Sequence, residues 1–478
     1  MIAVTSDFLT VVMDVVDPAV AEAERNPPRL GADGQVDFDP VYHRAGRAVW
    51  ASGIVGAPAR EQAALFYALA QAGEGGHACP VVCTAGLVRA LRTKASDELR
   101  ERFLPPLLET DYDHAQRGAQ FLTERQGGSD VGANRVQAVP DGNLWRLHGE
   151  KWFCSVADAD QFVVTARPRG APDGTLGIGC FLVPRDGGGF RIRRLKDKLG
   201  TRALATGEIE FEGAAAYPLG PLEDGFKTAV SVLNTSRWLN SVGSTGLMKR
   251  AFLEASGFAQ ERQAFGGAID RFPLVRENLA VMKSEEAAAF ASSTQLTELV
   301  GRIDDGSAAE EDVIWHRLLV NGNKFVTSLS ATQVVRRAIE TLGGNGTIED
   351  FSPLPRLYRD AIVFESWEGT HNVLCAQVLR DLERFDAVDL AVQRAGASED
   401  LAPRLRRSIA EPEFGALHFR RQLAELVRSL QVRGLRDSDP DAAELVNRRH
   451  LVPGWNPEAD PGYAKLIDRV LAGDTESK

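Results

Sequence analysis

The spacing of apolar residues divides the chain into three successive patterns. Residues 60–72 and 81–91 carry apolar side chains at helical spacing, which predicts helices in the first part of the chain. From about 118 to 220 the pattern changes to short runs of β-branched and aromatic residues. Long helical patterns return from about 225 to 390, most clearly over 280–300 and 313–338. The order of helices, strands and helices predicts an α+β fold, not alternating βαβ units.

The middle pattern predicts an antiparallel β-domain. Its strand-like runs are separated by Gly-, Pro- and Asp-rich turns at 140–143, 172–174 and 187–189. The runs themselves lie at 121–123, 144–147, 162–165, 179–183 and 209–211. We therefore expect an N-terminal helical domain over 1–117, a middle β-domain over 118–220, a C-terminal helical domain over 221–390 and a helical C-terminal extension over 391–478.

The extension contains an arginine-rich run. Residues 401–436 hold eight Arg against three Glu, at positions 404, 406, 407, 420, 421, 428, 433 and 436. This run has two readings. It could bind duplex DNA, or it could be the solvated face of a helix that docks through Leu405, Ile409, Phe414, Leu423, Leu426, Val427 and Leu430. Residues 437–441 should break the helix, and we expect the polar end beyond them to be loosely packed.

Composition narrows the class of protein. The 478 residues carry a net charge of -11 and give a pI near 5.4, which disfavours a protein whose main task is to coat nucleic acid. No apolar run is long enough to span a membrane, and the N-terminus lacks a basic signal-peptide start. The five cysteines are scattered and complete no zinc site, so we expect free thiols, no metal and a cytoplasmic location.

One carboxylate stands out by its position. Glu368 directly precedes Gly369 at the end of a largely apolar run that begins at Arg359. Burial raises the pKa of a carboxyl group, which suits a general base that removes a C–H proton. The alternative is a solvated, inert glutamate at a helix end.

Four motifs accompany it, in a fixed order along the chain. They are Thr-Glu-Arg-Gln-Gly-Gly-Ser-Asp at 123–130, Gly-Glu-Lys-Trp-Phe-Cys-Ser at 149–155, Lys-Asp-Lys-Leu-Gly-Thr-Arg at 196–202, and Glu-Thr-Leu-Gly-Gly-Asn-Gly at 340–346 with the Glu368 segment. No Gly-x-Gly-x-x-Gly follows a strand, so a dinucleotide would be held without a Rossmann fold. Over residues 1–390 this pattern closely resembles the acyl-CoA dehydrogenase family.

Some features resemble one branch of that family, the AidB branch, which is associated with the bacterial response to DNA alkylation. They are Asn26-Pro27-Pro28, the Cys79-Pro80 element, Lys151-Trp152-Phe153 and the added C-terminal segment. The resemblance implies an N-terminal helical domain, a central β-domain, a C-terminal helical bundle and an extra helical segment. It also implies FAD as cofactor, an acyl-CoA or related activated acyl substrate, a homodimer or homotetramer, and an electron-transfer partner.

The resemblance also carries roles onto single residues. Glu368 maps to the catalytic base, and Ser236 stands where some relatives carry the base instead. The implied flavin contacts are Phe121, Thr123, Ser129, Trp152, Arg262, Phe265, Glu340, Gly343, Gly344, Thr370 and Asn372, with Trp152 packed on the flavin ring and Arg262 on the pyrophosphate. The implied substrate contacts are Ser129, Arg237 and Gly369.

Several positions depart from the family pattern. Cys154, a weak donor, stands where relatives place a hydroxyl near flavin N5, and Ser155 is the other candidate for that role. Ala264 replaces a usual hydroxyl residue, and Trp367 replaces a more usual Tyr or Ile. For Trp152, Arg262, Arg237 and the 343–346 loop, a purely structural role is the alternative.

Three functions follow as hypotheses, one of which is a scaffold of this fold that binds no flavin; the other two are flavoproteins. The first is an FAD-dependent acyl-CoA dehydrogenase in which Glu368 removes the α-proton and the β-hydride passes to flavin N5. The second is an AidB-like flavoprotein that binds double-stranded DNA through the arginine-rich run and retains weak or vestigial dehydrogenase activity.

Overall fold

The computed structural model of the chain describes residues 6–472. They form two compact units that divide between Leu239 and Asn240. The predicted order of a helical part, a β-domain, a second helical part and a helical extension is confirmed. No helix among the described residues is long and apolar enough to cross a membrane.

The first unit begins with helices that carry clear capping signals. The Ser96 hydroxyl accepts from the Leu99 N–H, and the Asp39 carboxylate caps another helix start through the Val41 N–H at 3.0 Å. The helices are α1 (Ser6–Val11), α2 (Asp17–Ala23), α3 (Pro40–Trp50), α4 (Ala59–Ala70), α5 (Ala78–Lys94) and α6 (Asp97–Phe103), with a small hairpin of β1 (Arg29–Leu30) and β2 (Val36–Asp37) between α2 and α3.

The β-domain follows. Its strands are β3 (Gly118–Phe121), β4 (Gln137–Asp141), β5 (Leu144–Ser155), β6 (Gln161–Pro168), β7 (Gly179–Pro184), β8 (Phe190–Leu195) and β9 (Thr206–Pro218). The pairings close a ring in the order β6, β4, β5, β9, β7 and back to β6, with β8 added on β9. Most pairs are antiparallel, as predicted, but β3 and β4 run parallel to β6. Every residue of β7 is buried, which explains its unbroken apolar run.

Long helices return from Gly225. They are α7 (Gly225–Glu261), α8 (Pro273–Asp304), α9 (Glu310–Leu342), α10 (Leu354–Ser366), α11 (His371–Arg384) and α12 (Val388–Ala395), with a hairpin of β10 (Gln263–Ala264) and β11 (Gly267–Ala268) after α7. Within the second unit, the C-terminal part of α7 packs with α8, α9 and α10 around Met248, Phe252, Met282, Leu357 and Phe364. This core supports the end of α10, where Glu368 follows.

The C-terminal extension is better ordered than the sequence suggested. It contains α13 (Leu401–Ala410), α14 (Pro412–Leu435), α15 (Pro440–His450) and α16 (Tyr463–Ala472). The predicted break near 437–441 is confirmed, but the expectation of a loosely packed end is wrong up to residue 472. Sparse apolar side chains at helical spacing, including Leu445, Val446 and Leu466, bury against α8 and outweigh the polar composition. Residues 473–478 lie outside the described part.

Candidate active site

Glu368 lies in a tight turn between α10 and α11. Its φ is +56°, and Gly369 follows with φ +99°. A left-handed conformation costs a non-glycine residue about 1–2 kcal/mol. Such an outlier persists only where the surrounding structure holds it, and outliers cluster at functional sites. The predicted base is therefore one of five non-glycine residues with positive φ among the described residues.

Side chains from two other helices hold the end of α10. The Asn240 Nδ2 of α7 donates to the Phe364 carbonyl at 3.2 Å. The Lys324 ammonium of α9 donates to the carbonyls of Glu365 and Gly369, each at 3.0 Å. Both donors are buried, and Lys324 is 0% exposed. Helix C-termini leave carbonyls without intrahelical partners, and cations are favourable there. These contacts fix the backbone on both sides of Glu368.

The Glu368 side chain is half-buried, and its Oε2 is shielded from solvent. The preceding Trp367 stacks on Phe364 with ring centroids 4.8 Å apart and packs against the core of the second unit. A partly desolvated carboxylate in a fixed orientation can act as a general base. The Glu368 carboxylate is thus neither fully solvated nor fully buried in this turn.

His371 begins the helix that follows the turn. Its Nε2 lies 3.2 Å from the Ser328 hydroxyl of α9, and its Nδ1 lies 3.5 Å from a guanidinium nitrogen of Arg420. Burial, together with the positive charges of Lys324 and Arg420, lowers the pKa of His371 to about 4. The imidazole is therefore neutral at neutral pH.

In the first unit, a buried ion pair shapes the 123–130 turn. The Lys151 ammonium donates to the Glu124 carboxylate at 2.8 Å and to the Leu122 carbonyl at 3.0 Å. Glu124 also accepts from the backbone N–H groups of Arg135 and Val136. Burial opposes ionisation of Glu124, but Lys151 and these hydrogen bonds outweigh it and hold its pKa below the usual value. The start of the turn is therefore held by buried contacts of Lys151 and Glu124, while Ser129, near its end, is exposed.

Thr123 joins this turn to β5. Its carbonyl accepts from the Trp152 N–H at 2.9 Å. A Cβ added to Gly128 would lie 2.5 Å from the Thr123 hydroxyl oxygen, so only glycine fits this close approach. Phe121, by contrast, is 0% exposed, and its ring packs on Phe162 at 4.8 Å. Any cofactor contact by Phe121 would have to use its backbone.

A β-bulge in β5 decides which side chains face outward. Lys151 pairs with Ile209 and Cys154 with Gly207, so β5 has one residue more than β9 between these pairs. Lys151 and Cys154 consequently both point inward and are buried. Burial raises the pKa of the Cys154 thiol well above its usual value. Ser155 instead shares the outer side with Trp152, and its hydroxyl lies 3.2 Å from that of Thr206.

The bulge also exposes an aromatic ring that the sequence did not single out. Phe153 is 55% exposed. The Trp152 ring is already covered by cations, with the Lys196 ammonium 3.5 Å and the Arg125 guanidinium carbon 5.4 Å from its centroid. The sequence signal for Phe153 was present: three successive apolar residues, Trp-Phe-Cys, do not fit an alternating strand.

Arg262 and Phe265 flank the hairpin of the second unit. Phe265 and Gly266 form its turn with φ +48° and +88°, the conformation of a type I′ turn. Phe265 is 98% exposed, and Arg262 is exposed as well. A left-handed backbone is unfavourable for a bulky residue, and a side chain that is exposed to solvent contributes little packing energy to its own unit.

The 343–346 loop presents an open backbone. Gly343 has φ +63°, and a Cβ added to Gly343 or Gly344 would meet no atom within 4 Å. A Cβ on Gly346 would lie 2.6 Å from the Ile339 carbonyl oxygen. Gly346 is thus needed for packing, while Gly343 and Gly344 leave space beside the backbone for another molecule. Glu340 is exposed, 3.9 Å from Arg336.

Family models match three consecutive parts of the chain. They are described as the AidB N-terminal domain of the adaptive response protein, over residues 16–114, the acyl-CoA dehydrogenase middle domain, over 119–214, and the acyl-CoA dehydrogenase C-terminal domain, over 223–383. The putative acyl-CoA dehydrogenase AidB of Escherichia coli (strain K12) is 34% identical over 394 residues, which cover 76% of this chain and 70% of that protein. This chain belongs to the acyl-CoA dehydrogenase family. The family is one of oxidoreductases, and its members are flavoproteins.

Solved structures agree with this membership. The structure called Bd2924 apo-form superposes with a TM-score of 0.83 at 29% identity and covers 91% of this chain and 94% of its own. Caenorhabditis elegans ACDH-11, in complex with C11-CoA, superposes with a TM-score of 0.82 at 25% identity and covers 98% of this chain and 90% of its own.

The predicted site residues of this acyl-CoA dehydrogenase family member fall in both units. Phe121, Thr123, Ser129, Trp152, Cys154, Ser155 and Arg237 lie in the first unit, and Arg262, Phe265, Glu340, Gly343, Gly344, Glu368, Gly369, Thr370 and Asn372 in the second. Thr370 is the N-cap residue of α11, and Asn372 is exposed on its first turn. Arg237 is 8% exposed and donates to Asn234, while Ser236 accepts from the Gln120 amide at 3.0 Å.

Four of the eight arginines in the arginine-rich run of this chain pair with carboxylates of the same unit. Arg404 pairs with Glu425, Arg406 with Asp389, Arg407 with Glu411 and Arg428 with Glu285, while Arg433 donates to two carbonyls at the end of α12. Arg420 contacts His371 and the Phe325 ring. Of the eight arginines, Arg421 and Arg436 have no such partner within residues 6–472. Leu405, Leu423, Leu426, Val427 and Leu430 are buried, as the docking interpretation predicts.

Proposed function

We propose that this chain is an FAD-dependent acyl-CoA dehydrogenase in which Glu368 is the catalytic base. The observation that carries the proposal is the turn at Glu368. The backbone of Glu368 is left-handed, its carboxylate is half-buried, and one buried lysine, Lys324, donates to backbone carbonyls on both sides of it. A base on a rigid turn can be kept within reach of a C–H bond, which is what proton abstraction beside a thioester requires.

The residues of the chain suit FAD. The open backbone at Gly343 and Gly344 could approach a phosphate or the adenine, and the exposed Arg262 could form a bidentate contact with the pyrophosphate. Thr123 and Ser129 offer hydroxyls at the braced turn, and Ser155 supplies the hydroxyl that Cys154 cannot present. We further propose that Phe153, with its exposed ring, packs against the flavin in addition to or instead of Trp152.

The chain's residues would divide the reaction as follows. Glu368 removes the α-proton of the acyl-CoA, and the backbone N–H of Glu368 donates to the thioester oxygen as negative charge develops there. Arg237, Ser129 and Gly369 hold the acyl-CoA, and Trp367 limits the space for the acyl chain. Bound FAD would supply the acceptor for the hydride from the β-carbon. The solved ACDH-11 relative holds C11-CoA, which supports an acyl-CoA as the substrate class.

The exposed Phe265 and the open 343–344 backbone also support a homo-oligomer. A bulky ring at a hairpin tip with 98% exposure becomes favourable when another molecule covers it. We propose a homodimer or homotetramer in which this hairpin and loop contact the cofactor or a second copy of the chain. We also propose that a separate protein is the final electron acceptor.

Anaerobic bleaching of the flavin tests the proposal. The holoenzyme is mixed with saturated acyl-CoA thioesters of increasing chain length, including C11-CoA, and absorbance is followed near 450 nm, the usual flavin band. We expect wild type to bleach with at least one thioester and Glu368→Gln to bleach more slowly by at least about 100-fold, since a general base contributes about 10²–10⁴-fold.

Glu383→Gln is the matched control, because it makes the same change at an exposed glutamate of α11. It should bleach like wild type. Equal bleaching of wild type and Glu368→Gln would show that Glu368 is not the base. Tight FAD binding with no bleaching by any thioester would refute the substrate class.

A further inference from the structure

Lys324 is fully buried in the second unit, yet it carries a cationic side chain. It lies in the middle of α9 and is 0% exposed. Its ammonium donates to the carbonyl oxygens of Glu365 and Gly369, each at 3.0 Å. Glu365 is in the last turn of α10, and Gly369 directly follows Glu368. The two contacts therefore lie on either side of the proposed base along the chain.

Burying a lysine side chain is unfavourable unless its ammonium is hydrogen-bonded or has a function. Removing an ammonium from water is unfavourable even after relaxation of the protein, unless other groups solvate the charge. A lysine that only capped α10 would need carbonyls of α10 alone. This lysine also binds Gly369, which lies beyond the helix, and so closes a loop through the ammonium around residues 366–368.

The same turn holds the left-handed backbone of Glu368. With φ at +56° for Glu368 and +99° for Gly369, the turn would relax if its two ends could separate. Within the second unit, Asn240 holds only the Phe364 carbonyl, on the α10 side. Lys324 joins the α10 side of the turn to the Gly369 side through two carbonyls at 3.0 Å, while the longer contact across the turn, His371 Nδ1 to the Glu365 carboxylate, spans 3.8 Å.

We propose that Lys324 is the positioning residue for Glu368. Its ammonium ties the backbone on both sides of the base and fixes the direction in which the carboxylate points. This inference rests on the proposed function of Glu368. It assigns Lys324 no contact with substrate or cofactor, so its effect on the reaction passes through the geometry of the turn.

The first test needs neither cofactor nor substrate. Lys324→Met keeps a side chain of similar length and removes the ammonium. Amide hydrogen exchange of the apoprotein is followed by mass spectrometry in peptides that cover 361–374, which contain the Trp367 N–H to Val363 carbonyl bond. We expect exchange in these peptides to be faster by about tenfold or more, because local opening loses a contact on each side of the turn.

The second test isolates proton abstraction. The holoenzyme is incubated in D2O with an acyl-CoA, and exchange of the α-hydrogen is followed by mass spectrometry, while acyl-CoA affinity is measured by titration. We expect Lys324→Met to exchange the α-hydrogen about 10- to 100-fold more slowly, since misplacing a catalytic group by about 1 Å costs that much. Acyl-CoA affinity should fall by a smaller factor than the exchange rate, because the proposed contacts of Arg237 and Ser129 are untouched and only those at Glu368 and Gly369 shift with the turn.

Lys283→Met is the matched control. Lys283 is half-buried on α8 and donates to the Val470 carbonyl at 2.8 Å, so the same substitution removes a lysine–carbonyl contact at another helix end. It should leave exchange in 361–374 and α-hydrogen exchange as in wild type. Wild-type values of both quantities in Lys324→Met would overturn the inference. If Lys324→Met does not fold, Lys324→Gln, too short to reach both carbonyls, takes its place with the same deciding outcomes.

Glu368→Gln separates this inference from the proposed function. If Glu368→Gln retains α-hydrogen exchange, the base assignment fails. If Glu368→Gln abolishes exchange while Lys324→Met behaves like wild type, the base assignment stands and only the positioning role of Lys324 fails.

Discussion

Single residues in this protein are placed by interactions that a sequence does not reveal. Glu368 has a left-handed φ, and Lys324, which lies more than forty positions earlier in the chain, donates to carbonyls on both sides of it. The sequence indicated Glu368 because a carboxylate before a glycine ended an apolar run. It did not indicate Lys324, because a lone lysine within a helical pattern is usually exposed.

His371 gives a prediction at this scale. Its folded-state pKa of about 4, lowered by burial and by Lys324 and Arg420, lies below the value of about 6.5 expected when unfolded. As pH falls below about 6.5, the unfolded chain takes up a proton that the folded protein refuses. The free energy of unfolding should then fall by about 1.4 kcal/mol per pH unit from His371, down to about pH 4.

Urea denaturation between pH 5 and 7.5 measures this slope. Below about pH 6, His371→Gln should lose about 1.4 kcal/mol per pH unit of slope, whereas near pH 7.5, where the imidazole is neutral in both states, its slope should match wild type. It should also be less stable at pH 7.5 without the Ser328 contact. His148→Gln makes the same substitution at an exposed histidine and controls for the change of residue itself. An unchanged slope in His371→Gln would mean that its imidazole takes up a proton equally in both states.

At the scale of elements, the bulge in β5 matters most for the site. Alternation along a strand would have placed Trp152 and Cys154 on one side and Phe153 on the other. The extra residue instead places Cys154 inward with Lys151 and leaves Ser155 outside. Strand positions could be read from the sequence, but which residue is extra depends on pairing with β9, a distant part of the chain.

The bulge gives a prediction for two neighbouring aromatic residues. Phe153→Ala should raise the dissociation constant of FAD by about 3- to 10-fold, since aromatic packing contributes about 0.5–1.5 kcal/mol, and leave apoprotein stability nearly unchanged. Trp152→Ala should mainly lower apoprotein stability, because its ring is covered by Lys196 and Arg125. Flavin fluorescence titration and urea denaturation measure the two quantities. The reverse pattern would return the flavin-packing role to Trp152.

At the scale of the whole chain, the order of helical and β parts was predictable because periodicity changes from helical to strand-like and back. The family resemblance supplied the functional residues. The closed ring of strands and the packing of α15 and α16 were not predictable, since both depend on contacts between distant segments. A polar composition also hid the short apolar stripes, such as Leu445 and Leu466, that dock these helices.

Charge distribution at this scale gives a prediction about DNA. Two of the eight arginines in the run, Arg421 and Arg436, lack the intramolecular partners that the others have among residues 6–472. If Arg421 and Arg436 each neutralise one phosphate of a DNA duplex, two counterions are released. A plot of log affinity against log salt concentration would then have a slope no steeper than about -2. We expect DNA binding measured between about 50 and 200 mM salt to be weak and its salt dependence to be no steeper than this slope. A markedly steeper slope that Arg421→Gln and Arg436→Gln reduce would support the DNA-binding alternative.

The docking of α15 and α16 on α8 also affects the order of events during synthesis. Roughly 160 residues separate the end of α8 from the start of α16, and a ribosome adding about 5–20 residues per second needs about 8–30 s to make them. During that interval Ala280, buried in the finished protein, lacks the cover that Leu466, Ile467 and Val470 of α16 provide. Transiently exposed apolar surface of this kind favours aggregation of folding intermediates, so this face of α8 is where the nascent second unit is most prone to it.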